Sequence, residues 1–277
     1  MLHWSSVGAF ALAATLVTGV DIAQAFDDAK YPDWKGQWMR IGDARWDVSK
    51  PRRAQGGPFT PEYQGKLEAN IASIDSGGQG NNLMSKCFPA GMPRMALQYN
   101  VFEFLIFPDT TYIVQEHFGE LRRIYSDGRP WPQNIKSTFS GYSIGHWLDE
   151  DGDGRYDALS IETRFIAGPR SFDDNGLPLH EDNQTIVKER LTLDKSNPNV
   201  LVNEITTIDN ALTRPWTVVR KYERRPQPKW FEHPCEPGYS LHWFIGGENY
   251  FSSAEGLLMP ARKGQPAPDL RYFDQPQ

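Results

Sequence analysis

Charged side chains interrupt faces of this chain that are otherwise apolar. Val187, Glu189, Leu191 and Leu193 fall on one side of a two-residue alternation, as do Tyr112, Val114, Glu116 and Phe118, and Trp216, Val218, Arg220 and Tyr222. Successive side chains of a strand point to opposite faces, so each set shares a face, and a charge buried there must be paired or put to use. If the strands close into a barrel with these faces inward, Glu116, Glu189 and Arg220 meet in or near the lumen. His146 joins them on the face of Tyr142, Ile144 and Leu148. Carboxylates in such a place act as general acid or base with raised pKa values. The candidate catalytic residues are therefore Glu189, His146 and Glu116, and Arg220, Tyr142, Tyr112 and Trp216 are candidates to line a bound ligand. The chemistry would be cofactor-independent proton transfer, as in isomerisation, cyclisation or elimination. Glu189 or His146 would be the base and Arg220 would steady the developing negative charge. The competing reading is a structural Glu–Arg network. Glu103 repeats the pattern more weakly with Val101, Leu105 and Phe107.

A different chemistry is written in Asp149-Glu150-Asp151-Gly152-Asp153-Gly154-Arg155-Tyr156-Asp157. Carboxylates at positions 1, 3, 5 and 9, with glycine at 6 for the sharp turn, suit a hard Ca²⁺ ion. Position 12 is Ser160 and the flanks read as strands, so this is a calcium hairpin rather than a helix–loop–helix hand. Asp149, Asp151, Asp153, Arg155 and Asp157 form the expected metal set, holding a structural ion remote from any reaction. The competing reading is a solvated acidic turn. Gly141-Tyr142-Ser143-Ile144-Gly145 matches the Gly-x-Ser-x-Gly elbow but lies within a strand pattern, where that motif has no strand-to-helix turn to work from.

The elements that position these groups are mostly strands. β-branched and aromatic runs cover Val101–Phe107, Thr111–Phe118, Leu121–Tyr125, Thr138–Leu148, Tyr156–Ile166, Thr185–Asp194, Val200–Asp209 and Trp216–Arg224, separated by Pro-Asp, Asp-Gly and Asn-Pro turn signals. With no helices between them, they predict an all-β fold, an antiparallel meander closed as a calycin- or lipocalin-like barrel. One short N-terminal helix is expected from Thr60-Pro61-Glu62, an N-cap hydroxyl, a proline at the first helical position and an acid in the first turn. It should run to about Ser73.

The chain has 277 residues, 39% hydrophobic and 13% aromatic, with a formal net charge of -6. That is enough for a substantial core, and the scattered Lys and Arg exclude a nucleic-acid footprint. The apolar run from Val7 to Val20 is too short to span a membrane and precedes the small-x-small site Ala23-Gln24-Ala25. Residues 1–25 read as a signal peptide, 26–252 as a single barrel domain with an N-terminal extension, and 253–277 as a Pro/Gly-rich tail. The expected location is periplasmic or secreted, with no integral membrane span after cleavage. Cys87 and Cys235 are the two cysteines. Bonded, they would close a long loop and add roughly 4–5 kcal/mol on the loop-entropy model. Two free thiols are the alternative.

Several segments together resemble a family of secreted bacterial proteins. They are Asp33-Trp34-Lys35-Gly36-Gln37-Trp38, Phe59-Thr60-Pro61-Glu62-Tyr63, Cys87-Phe88-Pro89-Ala90-Gly91-Met92-Pro93-Arg94, Arg122-Arg123-Ile124-Tyr125-Ser126-Asp127-Gly128-Arg129, and Gly141-Tyr142-Ser143-Ile144-Gly145-His146-Trp147, with Glu116, Glu189-Arg190 and Asp209 to Trp216. The resemblance covers most of the mature chain. It implies a calycin-like barrel, an exported precursor and a Cys87–Cys235 pair. The family usually carries a short Trp-Glu-Gly-Asp-Thr turn where this chain has its acidic loop, so the calcium expectation belongs to this chain alone.

The leading expectation is a barrel that binds a small, mostly apolar molecule, with no organic cofactor and no nucleic-acid partner. A second is a non-enzymatic module that holds a carbohydrate or surface polymer on exposed aromatics, for which nine tryptophans leave room. A third is a structural partner in an envelope assembly. Aromatics lining a closed lumen favour the first, and a row of aromatics outside the barrel favours the second.

Overall fold

The computed structural model describes residues 27–230 apart from 44, 52–54, 77–79, 82–83, 85–86, 98–99, 118, 169, 174–175 and 228, together with three strands between 242 and 260. The alternating segments become strands β2 (Phe102–Ile106), β3 (Thr110–Gln115), β4 (Leu121–Tyr125), β5 (Tyr142–Leu148), β6 (Ala158–Arg164), β7 (Ile186–Asp194), β8 (Asn197–Ile208) and β9 (Trp216–Arg224). The ninth, β1 (Gln37–Arg40), comes from the Trp-rich N-terminal segment. Its Trp38 pairs with Phe102 on one side and Arg224 on the other, which closes the barrel in the order β1 to β9.

The meander is antiparallel at every pairing except one. β4 and β5 run parallel, with Ile124 opposite Ser143 and Tyr125 opposite Ile144. A tight hairpin cannot join parallel strands. Segment 126–141, with Pro130, Pro132 and a positive φ at Gly128 and Gly141, carries the chain back to the end from which β4 started. This also shortens β5 relative to the sequence reading: Thr138 makes only an isolated bridge to Ile166 before Gly141 turns at φ +70°.

Helix α1 (Pro61–Asp75) begins where expected, with Thr60 Oγ1 accepting from the Tyr63 amide, and buries Tyr63, Leu67 and Asn70 along one stripe. It packs against one end of the barrel over Trp46, Met92, Phe172 and Trp216; the other end is filled by Trp34, Trp38, Phe102 and Phe104. Each end thus has its own apolar cluster, and a polar belt lies between them.

The C-terminal segment adds a separate three-stranded antiparallel sheet of β10 (His242–Ile245), β11 (Glu248–Ser252) and β12 (Leu258–Pro260). β12 falls inside the tail that composition marked as Pro/Gly-rich. It is an edge strand, where Pro260 leaves no sheet donor missing from a central position. Among the described residues no helix is long and apolar enough to cross a membrane.

Candidate functional site

Two of the inward assignments hold and three do not. On β7, Val187, Glu189 and Leu191 are buried and face the lumen, and on β9 so do Trp216, Val218, Arg220 and Tyr222. On β5 the parity is opposite to the expectation. Ser143 points inward to hydrogen bond with Arg122, and a Cβ on Gly145 would come within 2.6 Å of Ile124 and 3.1 Å of Leu159. His146 is therefore exposed on the outside, and Tyr142 stacks there on Tyr125 at 4.9 Å. On β3 the inward residues are Thr111, Ile113 and Gln115, so Tyr112 faces outward beneath the Arg123 guanidinium. The apolar series misled because this level of the interior is polar while the outer face carries aromatics.

Glu116 is buried, but it lies just beyond β3. Its amide donates to the Val101 carbonyl, and it lines an outer cleft with Gln37 and Met39, away from Glu189. Glu103 also faces out and accepts from Gln37 Nε2 at 2.8 Å. Phe118 lies outside the described residues.

The belt centres on a residue that the alternation argument did not select. Arg122 forms a buried ion pair with Glu189 and donates to Thr163 Oγ1 at 2.8 Å and Ser143 Oγ at 3.2 Å. Asn203 donates to the other Glu189 oxygen at 2.9 Å. Both carboxylate oxygens are thereby occupied. The signal was present in the β4 run, where Arg122 and Ile124 alternate with Arg123 and Tyr125, but two adjacent arginines conceal which one is buried. Tyr222 closes the belt by donating to the Ala96 carbonyl at 2.8 Å, and burial pushes its phenol up to about 12.

Arg220 makes a different kind of contact. Its Nη1 and Nη2 donate to the Arg45 and Asp43 carbonyls, each at 2.8 Å, which ties the N-terminal loop to the barrel. Burial holds the Arg220 guanidinium below its usual range. Trp216 packs against Trp46 and Phe172 in the cluster beneath α1.

The lumen cavity beside Arg122 and Glu189 measures about 20 Å³, room for a water molecule. A far larger cleft, about 570 Å³, opens between residues 28–35 and β2 at the barrel end closed by Trp34. Tyr31, Trp34, Phe104 and Ile106 form its apolar wall, and Asp28, Lys35 and Arg155 put charge at its edge. The wall is braced from behind, with the Trp147 ring 5.0 Å from Trp34 and 5.1 Å from Tyr31.

Arg155 belongs to the acidic loop. Carboxylate oxygens of Asp149, Asp151 and Asp153 gather within 4.8 Å of one another on the exposed surface. Asp149 accepts from the Gly152 and Gly154 amides at 2.8 and 2.9 Å, and Asp157 accepts from the Glu150 amide at 2.7 Å. The loop exit is pinned to the cleft wall, since the Tyr156 amide donates to the Lys30 carbonyl at 2.7 Å. Cys235, the expected partner of Cys87, lies outside the described residues. No protein-family model matches the chain, and no curated protein matches it.

Proposed function

We propose that the chain is an exported barrel domain that binds a small, mostly apolar molecule, and that the molecule sits in the cleft beside Trp34 instead of the lumen. Two observations together carry this reading: the contrast in space with the lumen, about 570 Å³ against about 20 Å³, and the apolar wall, since an equally large cleft beside α1 is lined with Lys66, Asn70, Ser73, Asn81, Arg170 and Glu181. A concave, mostly apolar wall with a few charges at its rim is the form that small-molecule sites take. Glu189 has both oxygens committed to Arg122 and Asn203, which supports binding over acid/base catalysis. A structural Ca²⁺ in the acidic loop would fix the strand exit that carries Arg155 and Tyr156 to the cleft, so the ion would support the site without touching the ligand. The resemblance to secreted proteins supports export to the periplasm and a Cys87–Cys235 disulfide.

Native mass spectrometry of protein purified from the periplasm, before and after chelation, tests the reading. The expected species begins at Phe26, lacks two cysteine hydrogens, loses calcium on chelation and releases an apolar molecule on denaturation. Leu105→Asp, which places a charge on the exposed lip of the cleft, should purify folded but without that molecule. A bare parent protein, or a Leu105→Asp protein still carrying the adduct, would remove the cleft from consideration.

A further inference from the structure

The outer face of β3 to β6 carries an unbroken chain of aromatic and guanidinium groups. Tyr112 sits 6.0 Å from Phe107, and Arg123 lies over Tyr112 at 5.2 Å and Tyr125 at 5.8 Å. Tyr125 stacks on Tyr142, Tyr142 is 6.1 Å from Trp131, and Trp131 carries Arg164 over its ring at 4.5 Å. With neighbouring strands about 4.8 Å apart, a row reaching from the end of β2 to β6 extends roughly 19 Å. None of these rings is buried in the core, and Phe107 and Arg123 are openly exposed.

Strand geometry explains the order. Tyr112 is directly opposite Arg123 across β3 and β4, and Tyr142 is opposite Arg164 across β5 and β6. The long 126–141 connection brings Trp131 back over the start of β5.

Charge separates the members. Arg129 is held by Asp127, which draws that carboxyl down to about 2, and Arg164 and Lys188 share Glu162. Arg123 has no carboxylate partner among the described residues and is held in place by the two tyrosine rings and the Tyr125 hydroxyl. The patch therefore keeps an excess of positive charge on a chain whose net charge is -6. Flat rings stack on the C–H faces of sugar rings, and an uncommitted guanidinium fits a carboxylate bidentately.

We propose that this outer face binds an acidic, uronate-bearing polysaccharide, with Trp131 as the stacking surface and Arg123 as the carboxylate contact; Tyr125 lies between Arg129, 3.8 Å over its ring, and Tyr142, and so braces the patch. Single-stranded nucleic acid also stacks on aromatics, but it needs a continuous basic groove, and here Arg123 is the cation without a carboxylate partner among the described residues while Arg129, Arg164 and Lys188 are paired. The site meets the Trp34 cleft only at Phe107, and its proposed contacts, Trp131 and Arg123, do not line that cleft, so it stands or falls without it.

Affinity electrophoresis of the mature protein in gels containing alginate, neutral dextran or no polymer tests the proposal, with a single-stranded oligonucleotide competing. Alginate should retard the protein and dextran should do so much less. Trp131→Ala should weaken the alginate interaction roughly tenfold or more, as loss of a stacking anchor does. Arg123→Gln should weaken it roughly tenfold and flatten its salt dependence. Both substitutions are at the surface, and circular dichroism verifies that the variants are folded. Equal retardation in alginate and dextran, unchanged retardation of either folded variant, or displacement by the oligonucleotide at matched charge would overturn the proposal.

Discussion

Arg122 and Arg123 are consecutive residues of one strand with opposite surroundings. Arg122 points into the barrel, where its Nε and Nη2 have been supplied with acceptors: Ser143, Thr163 and Glu189. Arg123 points to solvent, lies over two tyrosine rings and has no carboxylate among the described residues. A charge taken out of water requires a built partner, whereas a charge left in water can stay available for a ligand. The interior charge is therefore committed to its partners, and the exterior one stays open to a ligand.

The largest expected effect comes from breaking the interior half of that contrast. Arg122→Met leaves the Glu189 carboxylate buried beside Asn203 alone and should cost about 3–5 kcal/mol in urea unfolding. Replacing both partners, Arg122→Met with Glu189→Leu, should recover most of that loss, because two apolar side chains need no ionic compensation. If the double variant were as unstable as the single one, the pair would be doing more than neutralising itself.

A smaller, pH-dependent effect should come from the neighbouring phenol. Tyr222 is held near 12 by burial, against 10 when unfolded. Its folded pKa is the raised one, so stability is fully retained below pH 10 and falls as pH climbs from 10 towards 12, by roughly 3 kcal/mol. Thermal unfolding of Tyr222→Phe should lose about 1 kcal/mol at pH 8 with the bond to the Ala96 carbonyl, and should be flatter than the parent above pH 10. An equally steep alkaline fall in the variant would place the titrating group elsewhere.

The smallest effect is expected on the outside. Arg123→Gln should change unfolding stability by less than about 0.5 kcal/mol. A destabilisation approaching that of Arg122→Met would erase the distinction between the two arginines.

Much of the fold was legible in the residues themselves. β-branched and aromatic alternation marked eight of the barrel strands, and β9 matched its expected limits of Trp216 and Arg224. Thr60-Pro61-Glu62 marked the start of α1 because capping is a local interaction. β1 went unread because Gln37–Arg40 is too short to show a period and becomes a strand only by pairing with β2 and β9. The parallel β4–β5 pair was also hidden, since segment direction leaves no trace in side-chain alternation.

Facing was less legible than strand existence. Parity was right on β7 and β9, where each inward row is led by large apolar residues around its charge. It was wrong on β3 and β5, where the interior is lined by Thr111, Gln115, Ser143 and Gly145 and the outer face by Tyr112, Tyr125 and Tyr142. A rule that equates apolar with inward fails wherever a polar belt lies inside and an aromatic row outside.

By itself the sequence determined the local matters, namely strand-forming segments, the helix cap, the acidic turn and the presence of charges that would need an explanation. Those depend on residues close along the chain. Only the tertiary structure decided that Glu189 is satisfied by Arg122, that His146 faces solvent, that the lumen is nearly filled and that open space lies beside Trp34. These outcomes depend on groups tens of residues apart competing for one small volume, and that competition is settled when the barrel closes.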